Sequence, residues 1–358
     1  MASTSTAPSL YDPTREQLAE LLTGEPRYRL DQLWHGLYRE RATPSELTTL
    51  PRALRDRLTE ALPLALRPIA ESVSDDGHTI KWLWELADGS RIETVLMHYP
   101  DRSTVCVSTQ AGCAMGCGFC ATGQAGFERN LGVGEIVEQV VRAARVAAEG
   151  TPSRRVSNIV FMGMGEPLAN VDRVLGAVER IHGDLGLSAR HLTISTVGII
   201  PGIRRLAAEP LPVNLAVSLH AANDELRDEL VPINRRYPLT ELYAACEEYL
   251  AVKNRRISFE WALIDGVNDS DRDARELAEA ARSLRAHINL IPLNATPGWP
   301  TRGTPPDRVT AFRELLVGLG ANATVRANRG NEIDAACGQL RAANAVPVSA
   351  PRRRTLPH

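Results

Sequence analysis

Three cysteines lie close together in the chain, at a spacing that predicts a metal site. Cys113, Cys117 and Cys120 occur in the segment C-A-M-G-C-G-F-C, and the next cysteine is Cys246. Ferredoxin-type clusters and structural zinc sites are bound by four protein ligands, so three thiolates leave one coordination position for a substrate. The glycines interleaved with the cysteines let the backbone wrap closely around a ligand. The segment therefore predicts catalysis at a metal centre.

Two other interpretations of these cysteines involve no catalysis. A structural zinc ribbon would show a second Cys or Cys/His pair, and none follows within the usual window of about 12 to 20 residues. Unligated cysteines in a hydrophobic core would pack as small apolar side chains, but the interleaved glycines favour a loop. Both interpretations are weaker than a catalytic metal site.

Composition and charge limit the classes of protein to which the chain can belong. Its 358 residues are 44% hydrophobic and 23% charged, which is typical of a globular protein with a large core. The formal net charge of -2 creates no overall attraction to nucleic acid, so any RNA contact must be local. The sequence shows neither a signal peptide nor an apolar run approaching the roughly 18 residues of a membrane span. We therefore expect a cytoplasmic protein that does not bind membranes, and the thiolate site also favours a reducing compartment.

The residues before Asp101 predict a small leading domain. Asp12 can cap a first helix that starts at Pro13, and apolar stripes predict further helices over Leu30–Glu40 and Pro51–Ala61. Alternating residues over 79–98 predict two antiparallel strands joined by the turn A-D-G-S. We expect a disordered N-terminus over residues 1–9, a helical accessory domain over 10–75 and a β-hairpin linker over 76–101.

After Asp101, strands alternate with helices, which predicts an α/β fold with a parallel sheet or barrel. The predicted strands are Thr104–Ser108, Asn158–Met162, His191–Thr196, Val213–Leu219, Ile257–Leu263 and Ile288–Pro292, and the predicted helices include Val133–Glu149, Val171–His182, Asp271–Arg285 and Pro306–Leu319. Six such units make a partial (β/α)6 barrel of the TIM type, which we place at residues 102–345. A basic tail over 346–358, with Arg352–Arg354, is either a disordered end or an RNA-phosphate contact.

Polar residues follow most of the predicted strands, where barrel enzymes carry their chemistry. The cysteine loop follows the first strand, and Glu166, Ser195, Ser218, His220 and Asn294 lie at or just after the ends of later strands. Each of these residues alone is more typical of a turn or a helix cap. Together they predict a polar rim that suits a ligand with an ammonium and a carboxylate group.

Four longer segments resemble one known family. They are C-V-S-T-Q-A-G-C-A-M-G-C-G-F-C-A-T-G-Q-A-G-F-E-R-N-L, V-F-M-G-M-G-E-P-L-A-N, S-L-H-A-A-N-D-E-L-R-D-E-L-V-P-I-N and R-G-N-E-I-D-A-A-C-G-Q-L. These segments resemble the RlmN family of adenosine C2 RNA methyltransferases, within the radical S-adenosylmethionine superfamily, and the similarity extends over residues 10 to 345. G-E-P-R-Y-R-L-D-Q-L-W also resembles the helical RNA-binding domain of that family. The resemblance implies a barrel of the radical S-adenosylmethionine kind.

The resemblance also implies a role for individual residues. It assigns Cys113, Cys117 and Cys120 to one [4Fe-4S] cluster, with S-adenosylmethionine bound at its open iron. The residues that it implies around the cofactor are Phe119, Gly165, Glu166, Ser195, Ser218, Leu219, His220 and Asn294. Cys337 corresponds to a cysteine that is itself methylated, Cys106 to a second catalytic cysteine and Glu93 to the proton acceptor.

These implied roles fit the chemistry of the target atom. C2 of adenine is an sp2 carbon without an acidic proton, so polar methyl transfer from a sulfonium does not work there. One S-adenosylmethionine would methylate the Cys337 thiolate, and a second would yield the radical that activates this methyl group. Glu93 would then remove a proton, and Cys106 would attack the sulfur of Cys337 to leave a disulfide for an external reductant.

Without the resemblance, the sequence alone predicts different roles for the isolated cysteines. A cysteine within a strand, such as Cys106, is more often a core residue, whereas Cys337 lies in a polar, glycine-containing segment that favours a reactive loop thiol. Cys246 lies on a helix face beside Ala245 and Tyr249, so we expect it to pack in the core.

The resemblance further implies partners and leaves alternatives open. It implies 23S rRNA and tRNA as substrates, a flavodoxin or ferredoxin system as electron donor, and a monomer. The related C8 methyltransferase Cfr shares the cysteines, and a zinc-binding RNA adaptor without catalysis is an alternative of a different class. Analysis of the methylated nucleoside separates the first two, and metal content separates the third.

Overall fold

The computed structural model describes residues 8–74, 76–293 and 302–326. Within this part of the chain, twelve strands are formed: β1 (Arg67–Val73), β2 (Thr79–Glu85), β3 (Arg91–His98), β4 (Ser103–Cys106), β5 (Gln110–Gly112), β6 (Phe127–Asn130), β7 (Val156–Phe161), β8 (Leu192–Thr196), β9 (Asn214–Ser218), β10 (Ile257–Leu263), β11 (His287–Pro292) and β12 (Asn322–Val325). Ten of them form one sheet in the order β1-β2-β3-β4-β7-β8-β9-β10-β11-β12, and β5 pairs with β6.

The same part of the chain contains eleven α-helices. They are α1 (Arg15–Leu21), α2 (Tyr28–His35), α3 (Arg52–Ala61), α4 (Ala121–Gln124), α5 (Val133–Glu149), α6 (Val171–Gly183), α7 (Ile200–Ala208), α8 (Asp224–Leu230), α9 (Leu239–Lys253), α10 (Asp271–Ser283) and α11 (Pro306–Gly318). A π-helical turn, Gly36–Glu40, continues α2. None of these helices combines the length and the apolar character that crossing a bilayer requires.

The seven strands from β4 to β12 in the large sheet pair in parallel and form the predicted partial barrel. Alternation along each strand separates two faces. In β10, for example, Phe259 and Trp261 are fully buried, and the Trp261 ring lies 6.4 Å from that of Phe312 on α11. Glu260 lies between them in sequence and faces the barrel interior. The apolar face thus packs on the helices and leaves a polar interior.

Four strands were missed by the sequence-based prediction: β1 and β12 of the large sheet, and the short pair β5 and β6. The seventh parallel strand, β12, has only four residues, half of them polar, and is stabilised by its pairing with β11. The antiparallel extension has three strands rather than two, because β1 pairs with β2 within the range expected to be helical. β3 pairs antiparallel with β4, so the extension continues the barrel sheet.

The N-terminal helices differ in detail from the prediction. Thr14, not Asp12, caps α1, in a capping box with Gln17. Asp12 instead accepts a hydrogen bond of 2.8 Å from the backbone N–H of Gly134 in the first turn of α5. An acidic side chain near a helix N-terminus satisfies an unpaired donor there, and that position is available only through tertiary contact.

The N-terminal helices and the barrel share one hydrophobic cluster, which runs from Leu10 to Ala323. Arg180 of α6 donates hydrogen bonds to the Tyr38 hydroxyl at 2.7 Å and to the Pro13 carbonyl at 2.9 Å. The buried Glu138 carboxylate on α5 accepts from the backbone N–H groups of Ala65 and Leu66. The hydrophobic core is therefore continuous across residues 75 and 101, the predicted domain boundaries.

Candidate active site

A cavity of about 210 Å³ lies at the C-terminal ends of the parallel strands. Its walls include nine of the residues expected at the site: Cys113, Cys117, Phe119, Cys120, Gly165, Glu166, Ser195, Ser218 and His220. Parallel strands end at the same edge of the barrel, so side chains far apart in sequence meet there. The predicted polar rim and the cysteine loop thus form one pocket.

Glycines fix the cysteine loop. Gly112 has φ +75°, and a Cβ atom there would lie 1.9 Å from the carbonyl oxygen of Gly126. This close approach lets the N–H of Cys113 donate to the same oxygen at 2.8 Å, where β5 meets β6. At the other end of the loop, a Cβ on Gly123 would lie 2.8 Å from the Cys117 carbonyl oxygen. The loop is held closed at both ends by contacts that only glycine permits.

The electrostatics of the three thiols suit a cationic centre. Burial raises the pKa of Cys113 to about 11 and raises that of Cys117 as well, and the neighbouring thiols and Glu166 add to both effects. Without a metal, Cys113 and Cys117 are protonated at neutral pH. Iron ions would supply the positive charge that stabilises the thiolates, so the donor set fits an iron–sulfur cluster.

A zinc ion and an iron–sulfur cluster place different demands on these donors. Among the described residues, no three His, Cys, Asp or Glu side chains are grouped closely enough to ligate one metal ion. A tetrahedral zinc site needs thiolates about 2.3 Å from one centre, whereas the thiolates of a [4Fe-4S] cluster bind different irons and lie farther apart. Metal content of the purified protein separates a cluster from the zinc-adaptor alternative.

Glu166 joins two of the loops around the pocket. Its carboxylate accepts hydrogen bonds from the backbone N–H groups of Leu168 at 2.9 Å and Val197 at 2.8 Å. Burial raises its pKa to about 7 although these bonds oppose the shift. Gly165, at φ +100°, brings this loop so close to Gln110 that a Cβ atom would lie 2.5 Å from the Gln110 Cβ. The carboxylate expected to receive an ammonium group thus also organises the loop.

Ser195, Ser218 and His220 supply hydrogen-bonding groups to the wall. The two hydroxyl oxygens are 3.3 Å apart. The Nδ1 atom of His220 accepts from the backbone N–H of Ala262 at 3.0 Å, which leaves the ring proton on Nε2. Burial lowers the pKa of His220 to about 3, and the charge of Arg227 adds to this shift. The imidazole is therefore neutral at working pH and packs edge-on against Phe119, with centroids 4.9 Å apart.

Leu219 lies beside the pocket rather than in its lining. Its side chain is fully buried in the hydrophobic cluster that the barrel shares with its helices. Its carbonyl oxygen accepts from Nε of the buried Arg227 at 3.0 Å, and another Arg227 nitrogen donates to Val197. Arg227, which the sequence did not single out, therefore ties two pocket loops together.

Two charged residues of the lining were missed by the sequence-based prediction. Glu260 is 4% exposed and accepts at Oε1 from Ser258 at 2.8 Å and Asn289 at 2.9 Å. Its buried Oε2 has no hydrogen-bond partner within the described chain. The sequence signal for Glu260 is a charged residue inside the apolar strand I-S-F-E-W-A-L. Arg326 follows β12, the strand that was itself missed.

Glu93 and Cys106 lie outside the pocket lining, on the antiparallel extension and its neighbour strand. Lys81 pairs with Val95, which pairs with Cys106, so these side chains share one face of the sheet with Glu93. The Lys81 Nζ atom lies 2.9 Å from Glu93 Oε2, and both side chains are buried. Burial raises the pKa of Cys106, while Arg326 and Lys81 oppose that shift. Arg326, which lines the pocket, therefore also acts electrostatically on Cys106.

Three of the predicted features cannot be placed in this way. Cys337 and Asn294 lie outside the described residues, as do the arginines of the basic tail, Arg352–Arg354. Cys246 is fully buried in the hydrophobic cluster, which confirms the expected packing role.

Comparison with known proteins identifies the family. Residues 107–278 match the model of the radical SAM superfamily. Proteins named "Probable dual-specificity RNA methyltransferase RlmN" are similar over nearly the whole chain. The relative from Chloroflexus aurantiacus is 51% identical over 95% of this chain and 94% of its own length. The relative from Parafrankia sp. is 52% identical over 93% of this chain and 91% of its own length.

A solved structure agrees with this relationship. The crystal structure of a radical SAM methyltransferase from Sphaerobacter thermophilus superimposes with a TM-score of 0.89 at 52% identity, and covers 93% of this chain and 98% of the other. Fold, sequence and pocket composition point the same way. This chain therefore belongs to the RlmN family of radical S-adenosylmethionine RNA methyltransferases.

Proposed function

We propose that this protein methylates C2 of adenosine in both 23S rRNA and tRNA. The main observation that supports this function is one pocket, lined by three thiols together with Glu166, Ser195, Ser218 and His220. The name of the relatives, dual-specificity RNA methyltransferase, supports two kinds of RNA substrate. Carbon C2 bears no acidic proton, so a radical route is the chemistry that this pocket would serve.

Within this proposal, Cys113, Cys117 and Cys120 hold one [4Fe-4S] cluster, and the rest of the pocket holds S-adenosylmethionine. When bound, the cluster supplies the electron that cleaves the cofactor. The neutral His220 offers its Nε2–H as a donor, while the two serine hydroxyls both donate and accept. Asn294 completes the proposed set from outside the described residues.

Three further residues act on the methyl group and the adenosine. We assign Cys337 as the methyl carrier, Glu93 as the proton acceptor and Cys106 as the thiol that releases the product. Glu93 and Cys106 share one face of the sheet, which supports their acting on one adduct. Each turnover would consume two molecules of S-adenosylmethionine and leave a Cys106–Cys337 disulfide. A flavodoxin or ferredoxin system would supply electrons to a monomer in the cytoplasm.

The test is anaerobic incubation of reconstituted protein with S-adenosylmethionine and protein-free 23S rRNA or tRNA, followed by nucleoside mass spectrometry. We expect 2-methyladenosine from both RNAs. Formation of 8-methyladenosine would instead assign the Cfr-like reaction. Absence of either nucleoside from protein that holds its cluster and cleaves S-adenosylmethionine would overturn the proposed function.

The two reactive cysteines should give different phenotypes when each is replaced. Cys106→Ala should stall after carbon bond formation, with protein covalently joined to RNA, because the adduct cannot be released. Cys337→Ala should yield neither methylcysteine nor methyladenosine. Denaturing gels with and without ribonuclease detect the adduct. If Cys106→Ala protein methylates Cys337 but shows no ribonuclease-sensitive shift, Cys106 has no part in product release.

A further inference from the structure

Lys81 is a fully buried cation close to the proposed proton acceptor. Its side chain is 0% exposed, and Nζ lies 2.9 Å from Oε2 of Glu93, which is itself 2% exposed. Burying an ammonium and a carboxylate is costly, and a pair of apolar side chains often stabilises a fold equally well. The chain has 41 basic residues but only two lysines, Lys81 and Lys253. A buried lysine here therefore calls for an explanation beyond stability.

The strand register directs this pair toward the reactive thiol. Lys81, Val95 and Cys106 pair across β2, β3 and β4, and Glu93 lies two residues before Val95 on the same face. The opposite face carries Thr94, whose hydroxyl donates to Gln139 of α5 at 2.9 Å. Lys81 and Glu93 therefore face away from the helix layer, on the side of the sheet that carries Cys106.

Other charges face the same group. Cys106 on β4 experiences the positive charge of Arg326 after β12, the positive charge of Lys81 on β2 and the negative charge of Glu93 on β3. A compact ammonium can approach one carboxylate oxygen closely, whereas a guanidinium is a larger planar fork. The geometry thus suits an ammonium that fixes one carboxylate beside a thiol.

We propose that Lys81 is a positioning residue that holds the Glu93 carboxyl group in place for proton removal from the adenosine adduct. The inference rests on the proposed function of Glu93. In that step the proton leaves C2 of the adduct and binds a Glu93 oxygen, while the electron pair of the broken C–H bond stays with the ring. Lys81 gains and loses neither a proton nor an electron, and acts through its contact with Glu93.

The test compares Lys81→Met, Lys81→Arg and the matched control Lys253→Met. Lys253 is the other lysine of the chain and the last residue of α9. It donates a hydrogen bond to the backbone carbonyl of Glu209. Single-turnover formation of methyladenosine is measured together with iron content and methylation of Cys337. General-base catalysis contributes about 10²- to 10⁴-fold, so we expect Lys81→Met to lose at least ~10-fold. Iron content and Cys337 methylation should stay at the wild-type level.

Two features separate positioning from a structural role. The loss in Lys81→Met should fall on the single-turnover rate of methyladenosine formation and not on Cys337 methylation, and Lys81→Arg should restore part of the rate. The double variant Lys81→Met/Glu93→Gln removes both charges of the buried pair. It therefore keeps the inference testable if Lys81→Met alone misfolds. It should be no slower than Glu93→Gln alone, because Lys81 acts through Glu93.

Distinct outcomes overturn the inference and the proposed function. An unchanged rate in Lys81→Met would overturn the inference, as would additive losses in the double variant. Joint loss of iron, Cys337 methylation and product in Lys81→Met, with the double variant equally impaired, would show a structural role and also overturn it. Wild-type protein that methylates no RNA would instead overturn the proposed function, before any variant is compared.

Discussion

At the scale of single residues, the described cysteines divide by environment. Cys113, Cys117 and Cys120 line one pocket, whereas Cys246 is fully buried in the core. We expect Ala at any of the three pocket positions to abolish cluster binding. Cys246→Ala should keep the iron and lose about 1 kcal/mol of unfolding free energy through a small cavity. Iron and sulfide analysis of anaerobically reconstituted protein checks this, and full iron content in a Cys117→Ala variant would contradict it.

Glu166 should make the stability of the metal-free protein depend on pH. Its folded pKa is about 7, above the ordinary value of 4.5. Between these pH values the unfolded chain has released the proton while the folded chain retains it, so rising pH lowers the free energy of unfolding. Above about pH 7 the Glu166 carboxyl is ionised in both the folded and the unfolded chain, so its contribution to stability no longer changes with pH. Glu166→Gln should lack this part of the slope.

Urea unfolding of both proteins across that pH range measures the difference. His220 contributes a slope of opposite sign, because its folded pKa of about 3 lies below its ordinary 6.5 and rising pH there favours folding. Both proteins contain His220, so the comparison isolates Glu166. Parallel curves for wild type and Glu166→Gln would show that the carboxyl titrates normally.

At the scale of elements, the short β5–β6 ladder sets the start of the cysteine loop. A Cβ on Gly112 would collide with the Gly126 carbonyl, so Gly112→Ala must separate the two strands. We expect lower iron content and a stability loss greater than that of Gly77→Ala. Gly77 has a similar φ, +67°, but open space around it, so its replacement by Ala costs about 1 to 2 kcal/mol through backbone strain alone. Equal iron content in both variants would argue against the steric role.

At the scale of the whole molecule, the shared core changes how RNA binding by the leading helices should be tested. Deleting residues 10–90 would expose the apolar face that packs against α5 and α6, so single substitutions are preferable. Arg52 on α3 is 88% exposed and pairs only loosely with Asp56, at 3.9 Å. If this helix contacts phosphate, Arg52→Ala should weaken RNA binding and reduce the slope of log affinity against log salt by about 1.

The matched control for that experiment is Arg272→Ala on α10. Arg272 is similarly exposed, at 78%, and also pairs with a carboxylate four residues later. Its replacement should leave the salt slope unchanged. Equal effects of the two substitutions on RNA affinity, measured by titration at several salt concentrations, would remove α3 from the RNA-binding surface.

The sequence by itself determined those features that depend on local pattern. Helix α5 begins and ends at the predicted residues, and β10 also has its predicted bounds, because each has a strong hydrophobic period over its whole length. Seven of the nine pocket residues were predicted because parallel strands end at one edge, so a position after a strand already locates a side chain in space. Phe119 and Gly165 were implied by the family resemblance. The cysteine spacing predicted the metal chemistry because three thiolates in one short segment are a local pattern.

Only the tertiary structure decided which distant side chains meet, because register and burial depend on partners that no local pattern specifies. It brought Lys81 to Glu93, left one Glu260 oxygen beside the pocket without a partner among the described residues, and turned the Leu219 side chain into the core. It also formed β1 and β12, whose short sequences gain their stability from pairing with a neighbouring strand. Asp12 caps a helix more than a hundred residues away for the same physical reason: a buried donor takes the nearest acceptor in space, wherever that acceptor lies in the chain.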